Sequence, residues 1–185
     1  VIPDSDTFTT GVTKVIDAGG AGWKSFQKKK NNIIDISATR VLSMLNIVGE
    51  GMRGGDYEQN LDDMDAEKTA AAALENKNYV VGFKLAHFGK ADWTPVERLT
   101  KAGRIADMPV MVDFGSGNQS LEELFFKYLR PGDIYTHSFC YVPGVREPII
   151  DTETKMVKPF VRKAQQTGLV FDIGFGSGSF DYRTA

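Results

Sequence analysis

The run YVVGFKLAHFGKADWTPVERLTKAGRIADMPVMVD, residues 79–113, holds two strand-like stretches with a helix-like stretch between them. The first, 79–88, is rich in β-branched and aromatic residues, and the second, 108–117, ends in glycine and serine. Between them Thr94, Pro95 and Glu97 spell a helix start. They supply a capping hydroxyl, a proline at the first helical position and a carboxylate three residues after the cap. Val96, Leu99 and Ile105 then mark an apolar stripe that runs toward Asp107. Strand, helix and strand within one such run make the unit from which parallel sheets are built.

The unit recurs on both sides. Further strands are expected at 11–20, 39–51, 133–142 and 168–180, most of them closing on Gly, Ser or Asn. Further helices are expected at 65–77 with Asp65 as cap, at 120–132 with Ser120 as cap and Glu123 completing the box, and at 155–168 with Pro159 near the start. The order is βαβαβαβαβαβ, at roughly 30 residues per unit. This predicts an α/β fold with a parallel sheet under covering helices, in a single domain over 1–185. Two architectures fit, a doubly wound sheet and a (β/α)8 barrel. A complete barrel takes eight strands and about 250 residues. Six strands in 185 residues leave an open sheet or a barrel missing units at its ends.

Composition narrows the class. Apolar residues make up 42% and charged residues 25%, ordinary for a globular protein, and the net charge is −2. No basic field points to nucleic acid, and Lys28 to Lys30 read as a solvated face. No apolar run reaches the ~18 residues of a membrane-spanning helix. The single cysteine, Cys140, has no partner for an internal disulfide. No signal peptide is visible, and the cytoplasm is the favoured compartment. The opening VIPDSDTF has no initiator methionine, so the true N-terminus is expected upstream.

Polar residues gather at the expected C-terminal ends of the strands: Asp17, Asn46, Lys84, His87, Asp113, Tyr135, His137 and Asp172. This is the edge where α/β folds build their sites. Alternation puts Gly82, Lys84 and Ala86 on one strand face and Phe83 and Leu85 on the other. Met111 and Asp113 share a face on the next strand, as do Tyr135 and His137 on the one after. A lysine, an aspartate and a histidine are thus expected to converge. Structural readings compete: a snorkelling Lys84, a core or rim His137, a loop-capping Asp113, and structural hydrogen bonds for Asp17 and Asp172. His87 has the opposite parity to Lys84, which favours a rim or supporting role. The glycine run 174–180 lacks the spacing of a nucleotide fingerprint and reads as a turn. The stretch 49–65 reads as a long surface loop or lid.

The segments GVTKVIDAGGAGW, VVGFKLAHFGKADWTPVERL, MPVMVDFGSGNQSLEELFFKYLRPGDIYTHSF and GLVFDIGFGSGSF together resemble the amidohydrolase/deacetylase, dihydroorotase-like branch of the amidohydrolase superfamily. The resemblance implies a (β/α)8 barrel with one or two divalent metals, usually zinc, at its C-terminal mouth. It implies that Lys84 is carboxylated and bridges the metals, and that His137 is a metal ligand. Asp113 falls where many relatives carry another histidine ligand, and Phe175 where many carry a histidine. The family's His-x-His pair is absent from the chain, which stops at SFDYRTA before the strand that bears the family's aspartate. The chain therefore resembles barrel strands two to seven. The implied activity is hydrolysis of a linear N-acyl or cyclic amide, a small molecule, by a metal-bound hydroxide. The piece alone is expected to be inactive. Two other readings remain open at this point: a Schiff-base lysine enzyme of the aldolase kind, and a truncated, non-catalytic barrel whose exposed edges make it a homo-oligomer.

Overall fold

The computed structural model describes residues 3–113, 119–142, 146–176 and 178–185. Its strands are β1 (Lys14–Gly22), β2 (Arg40–Asn46), β3 (Val80–Leu85), β4 (Val110–Val112), β5 (Ile134–Tyr135) and β6 (Val170–Phe171). Every neighbouring pair is parallel, and the strands lie side by side in chain order. That order separates the two architectures. A doubly wound sheet reverses at a switch point, which scrambles the order, whereas a barrel adds each strand beside the last. The chain is a partial (β/α) barrel with β1 and β6 at its open margins.

Helices fill the gaps between strands. After a short α1 (Pro3–Thr7) come α2 (Phe26–Lys29), α3 (Ala66–Glu75), α4 (Thr94–Ala106), α5 (Leu121–Glu123) and α6 (Pro159–Gln166). Both α2 and α5 run on into π-helical turns, Lys30–Ile34 and Leu124–Tyr128. The core lies between the helices and the sheet. Leu45, Phe83, Leu85, Val110 and Val112 pack outward from the strands against Ala70, Ala73, Leu99, Leu124 and Val161. Each large apolar side chain buried there contributes about 1.5–3 kcal/mol. The alanines of α3 present almost no bulk, so that helix can lie close to the strands.

Capping follows the expected chemistry at one helix and departs from it at two. Asp65 caps α3 by accepting from the Lys68 amide at 2.9 Å. At α4 the cap is not Thr94. Asp92 Oδ1 accepts from both the Thr94 amide (2.9 Å) and the Thr94 hydroxyl (2.7 Å), because a carboxylate two residues upstream outcompetes the hydroxyl for that turn. At α5 Ser120 accepts from the Glu123 amide at 3.4 Å, but the Glu123 carboxylate binds Lys127 instead of returning to the cap. Glu147 takes the Leu121 amide at 2.8 Å. Strands β2 to β6 are also shorter than expected, while β1 runs past its expected end to Gly22. Residues 114–117 of the expected 108–117 strand lie outside the described residues.

Candidate functional site

Parallel register passes a face from strand to strand. Lys84 pairs with Met111, and Met111 with Ile134, so the three share the concave face of the sheet. With Ile16, Ala18 and Met44 they line a cleft of about 590 Å³. Its polar lining consists of Lys84, His87, Asp113, Thr136, His137 and Asp172, together with Ser179, and all but Ser179 stand at or just past strand C-termini.

Lys84 is 4% exposed. Burial pushes its amine below the usual lysine range, Arg146 adds to this, and the charges of Asp113 and Asp172 oppose it. Room for its stem comes from Gly19, which has φ +96°; a Cβ there would stand 2.7 Å from Lys84 Cγ.

Asp113, 5% exposed, is the hub. Arg146 donates to its Oδ1, while Oδ2 faces His137 Nε2 at 3.5 Å and His87 Nε2 at 3.6 Å. Burial alone would raise its carboxyl, but the Arg146 guanidinium, with Lys84 and His137, outweighs burial and holds it below the usual range.

The two histidines are built alike. His137 has φ 54° and His87 φ 55°, both in the left-handed region. His137 Nδ1 donates to Gly174 O at 2.5 Å. Gly174 is itself left-handed, and a Cβ on it would stand 2.5 Å from Thr136 Oγ1. Thr136 in turn donates to Asp172 Oδ2 at 2.5 Å. His87 Nδ1 donates to Glu58 Oε2 at 2.8 Å. Glu58 is only 1% exposed, and its Oε1 accepts from the Gly54 amide. Gln59 holds the same corner, donating to His87 O and accepting from the Gly89 amide.

Lys84, His87, Asp113, His137 and Asp172 thus come together. Tyr135 does not join them. It pairs in register with Val112 and points to the helix side, where its ring meets Phe125 edge-on at 5.2 Å. His137 escapes that face because its positive φ ends the alternation that linked the two. The same kink carries His87 to the cleft despite its parity. Asp17 is not at a strand end, where the expected bounds of β1 put it. β1 runs on to Gly22, so Asp17 sits mid-strand, paired with Lys29 at 2.5 Å. Asn46 bridges Gly19 O and the Val48 amide and is structural. Arg146 and Glu58 escape sequence reasoning, since a lone charge in a loop reads as solvated. Phe175, 71% exposed, lines the cleft mouth.

Imidazole nitrogen, carboxylate oxygen and a desolvated lysine are donors that a divalent ion such as zinc accepts. Both Nδ1 atoms are committed to oxygen acceptors, which leaves Nε2 as the free donor on each ring. Among the described residues no three His, Cys, Asp or Glu side chains are already closed around one ion position. The donors fit in kind, in a cleft that is still open.

No family model matches the chain. It is 31% identical over 188 aligned residues to a deacetylase of Enterococcus faecalis, covering 99% of this chain and 50% of that protein. A crystal structure of an adenine deaminase superposes with a TM-score of 0.88 at 31% identity, over 99% of this chain and 50% of the other. One of a dihydroorotase gives 0.81 at 28%, over 94% and 47%. The chain therefore spans about half the length of the relatives it matches. Sequence and fold agree along nearly all of it, and the chain belongs to the amidohydrolase superfamily, among its deacetylase- and dihydroorotase-like members.

Proposed function

We propose that this chain carries part of the site of a hydrolase that cleaves the C–N bond of a small amide, linear N-acyl or cyclic. The observation that carries the reading is Lys84: a buried amine, pushed toward its neutral form, in a cleft that also holds two imidazoles and two carboxylates. The neutral amine is the form that adds carbon dioxide; an N–C bond forms, a proton leaves to solvent, and the resulting carbamate is an anionic oxygen donor. Lys84 in that form, His137 and Asp113 would hold a divalent cation, zinc being the first choice for N and O donors. Such a cation supplies Lewis acidity toward the scissile carbonyl and lowers the pKa of water.

The chain's other residues prepare this site. Arg146 keeps Asp113 ionised and fixes one of its oxygens. Gly174 O fixes the His137 tautomer and turns Nε2 to the cleft. Thr136 holds the Asp172 carboxylate at the same mouth. Metal analysis after incubation with zinc and bicarbonate tests the reading, followed by turnover of N-acyl amino acids and cyclic amides. The chain is expected to retain zinc and Lys84→Ala to lose most of it. Equal zinc in both would sink the proposal. So would a borohydride-trapped adduct on Lys84 with a keto substrate, which would make it a Schiff-base lysine.

A further inference from the structure

We propose that His87 is itself a metal ligand of this site and that Glu58 is the carboxylate that orients it. The inference rests on the metal-binding reading above and adds to it a donor that strand parity had placed elsewhere. Two nitrogens face one oxygen: His87 Nε2 and His137 Nε2 stand 3.6 and 3.5 Å from Asp113 Oδ2. Donors on one tetrahedral zinc, with bonds of about 2.0–2.2 Å, lie roughly 3.3–3.5 Å apart. Each separation is therefore close to that of two atoms sharing an ion.

The surroundings of His87 favour a ligand over a surface ion pair. Metal-ligating histidines donate their second N–H to a carboxylate or a backbone carbonyl. His87 donates to Glu58 and His137 to Gly174 O, one of each kind. A carboxylate is rarely buried unless paired, and Glu58, 1% exposed, meets the Gly54 amide with one oxygen and this ring with the other. Gln59 pins the backbone on both sides of the same histidine. Asp113 has its other oxygen taken by Arg146, which leaves Oδ2 as its ligating atom. The three donors are not yet closed about one point. The His87 side chain is 54% exposed, at the open mouth of the cleft. The nitrogen donor that Asp113 does not supply on β4 would then come from the end of β3.

The chain contains only two histidines, so long-range 1H–15N spectra of the imidazoles resolve both. Zinc ion alone is titrated into the unsubstituted chain. Both Nε2 resonances are expected to move to metal-bound positions, with Nδ1 protonated in each ring. His87→Asn assigns the pair and suits the left-handed backbone; His137→Asn assigns it equally well should the first variant not fold. By chelator competition, His87→Asn is expected to bind zinc at least ~10-fold more weakly, and Glu58→Gln about 10-fold, at the low end for an outer-shell partner. Movement of His137 Nε2 alone, with His87 unchanged, would overturn this inference and leave the metal reading standing. Movement of neither would overturn both.

Discussion

Asp113 and Arg146 form a buried pair in which each charge depends on the other. Removing one partner of such a pair costs about 3–5 kcal/mol, because the remaining charge is desolvated and uncompensated. Asp113→Asn should therefore lower unfolding stability by about that amount at pH 7, measured by urea denaturation. The pH dependence has a definite sign. The folded-state pKa of Asp113 lies below its ordinary value of 3.8. The stability it contributes is complete above that value and is lost as pH falls through the lower, folded one. Circular dichroism between pH 2 and 6 should show a shallower acid loss in Asp113→Asn; an unchanged profile would exclude Asp113 as a source of acid sensitivity. At this scale Lys84, Asp113, His137 and Asp172 were legible from their places at strand ends. Tyr135 and Asp17 were not: alternation assigns a face only while the backbone stays extended, which failed between Tyr135 and His137, and a strand end is only as good as the strand's bounds, which failed at Asp17. Glu58 and Arg146 left no pattern at all, since their burial comes from how loops fold back.

Helix starts are the element most readily tested. Asp65→Ala removes the one hydrogen-bonded cap of α3 and should cost about 1 kcal/mol. At α4 the N-cap position is Trp93, with no side-chain cap, and Asp92 instead holds the turn that enters the helix, so Asp92→Ala should cost about 1 kcal/mol and Thr94→Ala clearly less. A larger loss from Thr94→Ala in the same denaturation series would restore the hydroxyl as the cap. The misreading has a physical origin. A threonine two residues after an aspartate offers two candidate acceptors for one turn, and sequence cannot say which the backbone reaches. Strand positions were legible because β-branched runs bounded by turn residues recur at regular spacing. Strand lengths were not, because the point where a chain leaves a sheet depends on neighbours from other units.

The whole sheet is ordered as it is numbered, which sequence alternation alone could not establish, since both candidate architectures alternate. Its margins bear on association. Ile16 on β1 and Val170 on β6 are exposed apolar residues on marginal strands, and Ile173 follows close behind. Unpaired strand edges with apolar side chains favour pairing with another chain. Sedimentation velocity across a concentration series should reveal dimers or larger species; a monomer at the highest concentration would count against association through the margins. The same ordering also shapes how the fold can be made. Each strand pairs with the one synthesised just before it, so every closure in the sheet spans a single crossover and its cost does not grow as the chain lengthens. On the ribosome, β2 can dock on β1 once α2 has emerged, and every later unit finds its template already in place.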